Sequence, residues 1–138
     1  MFPESKLTIA ASRFELAHGR KLEPFEMQQV RDAGLAEIEP HILAEQIRQS
    51  LDSASDLSAG YRSVAFWALG KHYDSGLLEF FRRHLAREIE LDMGVAYQIM
   101  IALDNLEETV WPVGQSSFGI TEIEQNREAA VRYLHECA

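Results

Sequence analysis

The sequence predicts an all-α protein. Apolar residues recur at three- and four-residue spacing through most of the chain. Strand-like alternation is nearly absent, and capping or stopping residues separate the periodic runs. At 138 residues, 46% hydrophobic and 25% charged, the chain is long enough to bury a core and predicts one domain over 1–138.

The elements follow in order. Leu7, Ala10, Ala11 and Phe14 have helical spacing over residues 6–18, and Gly19 is a C-terminal stop. A second helix over 24–33 opens on Pro24, whose missing N–H costs nothing in the first turn, and stops at Gly34. Ile42, Leu43, Ile47 and Leu51 define a third over about 39–51, with Pro40 in its first turn; the polar run "SASDLSAG" is a linker. Ser58 is placed to cap a helix over 59–72, and Ser75 another over 76–91. In the second of these, Leu78, Phe81, Leu85 and Ile89 are expected to point inward and Glu79, Arg82, Arg83, Arg87 and Glu90 outward. "VAYQIMIALDNL" is apolar nearly all round, the mark of a central helix. A long loop, "EETVWPVGQSSFG", follows, broken by Pro112, Gly114 and Gly119. Thr121 and Glu124 then have capping-box spacing before a last helix that carries Ile123, Arg127, Ala130, Val131 and Leu134.

"YRSVAFWALGKH" and "VAYQIMIALDNL" echo each other, pairing Ala68-Leu69 with Ala102-Leu103 at an offset of 34 residues. Such periods belong to stacked helical repeats. With Arg62, Ala65, Ala68, Leu69, Gly70, Asp74, Leu77 and Leu78, residues 61–106 resemble a HEAT-type α-solenoid repeat. The resemblance implies a short stack of antiparallel helix pairs, in which Ala-Leu-Gly ends the first helix and the Asp braces the turn before the second. The second copy departs from the pattern, with Asp104 where the first has Gly70. An irregular helical bundle is the alternative architecture.

Charge narrows the function. A net charge of −9 disfavours nucleic acid, whose phosphates need clustered Lys and Arg. The only basic cluster, Arg82, Arg83, His84 and Arg87, is partly neutralised by Glu79 and Glu90. A single cysteine, Cys137, excludes an internal disulfide, "MFPESK" lacks the features of a signal peptide, and no run has the length of a membrane span. These observations predict a cytoplasmic protein with no membrane partner.

No catalytic, cofactor or metal motif emerges. His84 and Glu88 have i, i+4 spacing but read as a surface pair, and His135, Glu136 and Cys137 match no ligand pattern. "GQSSFG" lacks the lysine of a phosphate loop. The chain reads as a non-enzyme.

The acidic C-terminal half is the better candidate. Residues 92–138 hold eight acids against Arg127 and Arg132. Glu122 and Glu124 suit a helix start, whereas Asp104, Glu107 and Glu108 stand at a helix end, where the dipole opposes them. With Trp111 as an aromatic anchor, Asp104, Glu107, Glu108, Glu122 and Glu124 form the expected binding surface for a basic protein partner. In size, acidity and helical content the chain resembles bacterial immunity proteins, which implies neutralisation of a basic toxin. A small-molecule or enzymatic pocket between helices, lined by Tyr61, Trp67, His72, Tyr73 and Tyr97, is the alternative. Self-association into a homo-oligomer is a third expectation.

Overall fold

In the computed structural model the described residues are 1–53, 56–112 and 118–137. Among them are seven α-helices and no strand, so the chain is all-α. The helices are α1 Leu7–Ala17, α2 Pro24–Asp32, α3 Pro40–Ser53, α4 Ala59–Gly70, α5 Leu78–Leu91, α6 Met93–Asn105 and α7 Ile123–Cys137. Short 3₁₀ turns, Glu4–Lys6 and Ser75–Leu77, lead into α1 and α5. None of the described helices is long and apolar enough to cross a membrane.

The chain divides into two units, Met1–His72 and Tyr73–Ala138. The boundary falls inside residues 61–106, so α4 belongs to the first unit and α5 and α6 to the second.

In the first unit α1 packs on α2, α3 and α4. Leu7, Phe14, Leu43, Ile47 and Phe66 are fully buried, each contributing roughly 1.5–3 kcal/mol by removal from water. The N-terminal segment joins this core. Phe2 N–H donates to Ser50 Oγ at 2.6 Å, and Tyr61 Oη–H donates to the Phe2 carbonyl at 2.7 Å. Ser58 caps α4 as expected, its Oγ accepting from Tyr61 N–H at 3.0 Å. A reciprocal cap that spacing did not suggest begins α2, where Glu23 N–H donates to Glu26 Oε1 at 2.9 Å. That bond, with Arg20 close by, holds the Glu26 carboxyl below its usual range.

In the second unit α5, α6 and α7 pack against one another. The buried face of α5 is Phe80, Phe81, His84, Leu85, Glu88 and Ile89. It is therefore rotated from the expected stripe, with Leu78 only half-buried. His84 and Glu88 lie inside (5% and 1% exposed), which corrects their reading as a surface pair. The turn before α5 is capped by Asp74, whose Oδ1 accepts from Gly76 N–H at 2.9 Å. Ser75 instead sits inside the 3₁₀ turn. Asp92 performs the same service for α6, accepting from Val95 N–H at 3.1 Å. The last helix begins at Ile123, two residues beyond Thr121. Glu122 prepares its start: its carbonyl accepts from Asn126 N–H at 3.0 Å and its Oε2 from Gly119 N–H at 3.2 Å. Gly114, expected as a loop breaker, and most of "GQSSFG" lie outside the described residues.

Candidate functional site

Among the described residues three helices end in the same hydrogen-bonded closure, and one of them is chemically unlike the others. After α1, Gly19 N–H donates to the Leu16 carbonyl at 3.1 Å and Arg20 N–H to that of Glu15 at 3.0 Å. After α2, Gly34 N–H reaches the Arg31 carbonyl at 2.9 Å and Leu35 N–H that of Val30 at 3.0 Å. After α6, Glu107 N–H reaches the Asp104 carbonyl at 2.9 Å and Glu108 N–H that of Leu103 at 3.1 Å. All three are Schellman closures, which need a left-handed residue just past the cap. Gly19 and Gly34 supply it at φ 93° and 75°. At the third site it is supplied by a glutamate, Glu107, at φ 66°.

A side chain in that conformation costs roughly 1–2 kcal/mol that glycine avoids. The Glu107 carboxylate also stands at the negative end of α6, where the helix dipole disfavours it. Asp104 lies one turn earlier. Both residues are exposed, although partial burial pushes the Asp104 carboxyl above the usual range. Two carboxylates and a helix C-terminus therefore add their negative potentials on one exposed corner.

Glu108 behaves differently. Its Oε1 accepts from Arg82 Nη2 at 2.6 Å and from Tyr133 Oη–H at 2.7 Å. Arg82 also donates from Nε to Tyr133 Oη at 2.9 Å and from Nη1 to Glu79 Oε1 at 2.7 Å. The guanidinium lies over the Tyr133 ring, 5.8 Å from its centre. The bonds from Tyr133 and Arg82 hold the Glu108 carboxyl below its usual range, whereas burial raises the Tyr133 phenol. Glu108 is thus committed to joining α5 and α7, and its charge is neutralised at close range.

Trp111 is 2% exposed, so its indole is not presented on this surface. Its Nε1–H donates to Asn126 Oδ1 at 3.1 Å, and Asn126 Nδ2–H donates to the Gly119 carbonyl at 3.0 Å. Tyr97 packs edge-on against the indole at 6.1 Å and donates its Oη–H to the Phe118 carbonyl at 2.9 Å. The tryptophan ties the segment after α6 to α6 and α7.

Glu122 and Glu124 are exposed at the start of α7. Glu122 is engaged with Gly119, and Glu124 faces Arg127 at 3.4 Å. Exposed ion pairs of this kind contribute little to stability. Their charge is held loosely and is open to exchange.

No family model, curated protein or solved structure compared with the chain matches it.

The other chemistry weighed in the sequence finds these positions. Among the described residues no group of three or more His, Cys, Asp or Glu is arranged to hold a metal ion. The aromatic residues considered for a pocket divide between the units, with Tyr61, Trp67 and His72 in the first and Tyr73 and Tyr97 in the second. Tyr61 is buried with its hydroxyl on Phe2, His72 stacks on Phe14 at 4.8 Å, and Tyr73 is 45% exposed. A polar cleft of about 320 Å³ in the first unit is lined by Met1, Phe2, Pro3, Gln46, Gln49, Ser50 and Ser53 instead. The sequence reading missed the Arg82–Glu108–Tyr133 cluster. Its only trace there was the surplus of acids at the end of α6.

Proposed function

We propose that this chain is a small cytoplasmic protein-binding module whose acidic C-terminal half receives a basic partner protein, in the manner of an inhibitor or immunity protein that occludes a basic toxin. The observation that carries this reading is Glu107. A glutamate occupies the left-handed position of a Schellman closure that glycine fills at Gly19 and Gly34. Strained backbone positions cluster at functional sites, and this strained residue adds charge at an already negative helix end.

Asp104 and Glu107 form the centre of the surface, and Glu122 and Glu124 extend the charge that draws the partner in. Complementary charge of this kind acts mainly on the rate of encounter, so association is fast and weakens with salt. Glu108 and Trp111 support the surface from beneath. The resemblance of residues 61–106 to HEAT-type repeats fits a recognition scaffold.

The test compares the wild-type chain with the Asp104→Asn/Glu107→Gln double variant as bait in an extract of the native cell. The reading expects a basic protein retained by the wild type, released by salt and lost with the double variant. Identical capture by both baits, or capture indifferent to salt, would sink it.

A further inference from the structure

Eight large hydrophobic residues are exposed among the described residues, and three of them, Ile120, Ile123 and Val131, lie on α7 or its lead-in at 52%, 48% and 51% exposure. The helical period places Ile123, Arg127 and Val131 on one stripe, each advanced by about 40° from the last. The buried residues Asn126, Ala129, Ala130 and Tyr133 occupy a different face. Beside the stripe lies a shallow, open depression between side chains of α7 itself, Arg127, Glu128, Val131, Arg132 and His135, and its accessible lining is almost entirely carbon. Residues 128, 131, 132 and 135 have the i, i+3, i+4, i+7 spacing of the diamond-shaped hole that takes a side chain from a facing helix.

Charges around the depression match those of the same helix run backwards. Glu128 is exposed and makes no hydrogen bond or ion pair among the described residues. Among the described residues Arg132 has only a distant contact, 3.9 Å, with Glu136. An antiparallel copy of α7 whose two-fold axis passes between Arg127 and Glu128 sets Arg127 of one copy opposite Glu128 of the other. That register brings Glu124 within one residue of Arg132 and Ile123 within one residue of Val131. Symmetry makes every contact twice, as a self-complementary two-fold interface requires. In the parallel orientation like residues face like, and the charge match is lost.

We propose that α7 is a self-association surface, pairing antiparallel with α7 of a second copy through Ile123, Val131 and the reciprocal Arg127–Glu128 and Glu124–Arg132 pairs. A single pair of 15-residue helices covers less than the roughly 1,600 Å² of a standard stable interface. The dimer is therefore weak and concentration-dependent. The proposal stands apart from the partner-binding reading, since Asp104 and Glu107 take no part in it. Glu124 belongs to both surfaces, so a dimer would hide part of the charge offered to a partner.

Sedimentation velocity from about 10 µM to about 1 mM, the range of weak specific association, tests the pairing. The wild type should move from monomer toward dimer with rising concentration. Arg132→Glu and Glu124→Arg should each stay monomeric alone, because each sets like charges opposite one another twice. Mixed one to one they should associate, because both cross-pairs are restored. Circular dichroism on each variant shows that the helices are intact; both side chains are exposed, so no core contact is removed. A wild type that remains monomeric at about 1 mM overturns the proposal, as do single variants that associate like the wild type or a mixture that does not associate.

Discussion

Arg82 Nη2 and Glu108 Oε1 lie 2.6 Å apart, and the hydroxyl of Tyr133 bonds to both residues. One guanidinium thereby joins α5 to the segment just after α6 and to α7, with Arg82 and Tyr133 51 positions apart in the chain. Hydrogen bonds to charged groups contribute about 1.5–3 kcal/mol each when partly buried, more than the exposed pairs elsewhere on the surface.

The three residues should behave as one unit. Tyr133→Phe keeps the ring and removes only the hydroxyl, so it should cost about 1.5–3 kcal/mol in urea denaturation. Glu108→Ala should cost about 2–3 kcal/mol, because it leaves Arg82 half-buried with its closest anion gone. The double variant should cost clearly less than the sum of the two. Additive losses would mean that the bonds act independently.

Stability should fall in acid, and Glu108 should account for part of the fall. Its folded carboxyl lies below the ordinary value of 4.5 because Tyr133 and Arg82 bond to the charged form. A depressed carboxylate stabilises the fold above its unfolded pKa, and that contribution disappears as pH drops through the folded value. Asp104, raised by partial burial, has the opposite sign. It favours the fold below its unfolded pKa and withdraws that support as pH rises through its folded one. Melting temperatures between about pH 6 and pH 3 should decline less steeply in Glu108→Gln than in the wild type, and more steeply in Asp104→Asn. Equal slopes in all three would remove both carboxyls from the account.

Replacing Glu107 by glycine should stabilise the protein. The substitution relieves a φ of 66° and removes an acid from a helix C-terminus, for a gain of about 1–2 kcal/mol in urea denaturation. Glu107→Gln should recover only the electrostatic part, a few tenths of a kcal/mol. If glycine gave no gain, the strain argued for this position would be absent, and the strongest support for an acidic binding surface with it.

Much of the fold could be read along the chain, because helix formation is local. The apolar period located most helices to within a few residues, Pro24 and Gly34 bounded α2, and Gly19, Gly34 and Ser58 act where their chemistry suggests. Local rules erred where two neighbouring residues offered similar chemistry. Asp74 caps the turn before α5 in place of Ser75, and Glu122, not Thr121, prepares the start of α7. Glu107 was legible as an acid at the wrong end of a helix, but its left-handed backbone was not, since a cap residue's φ depends on where the chain goes next.

Burial is the part that only tertiary structure decided. His84 and Glu88 look like a surface pair on a helical wheel, yet both are buried in the folded chain. Trp111 looks like an anchor for a partner, yet Asn126, 15 residues away, takes its N–H inside. Arg82 looks like one member of a solvated basic cluster, yet it meets Glu108 across 26 residues. The sequence by itself determined that this is an acidic, all-helical chain with its charge surplus at the C-terminal end, because composition and period 3.6 are properties of neighbours. Which acids are spent on the fold and which remain exposed was decided by contacts between residues far apart in the chain, to which periodicity is blind.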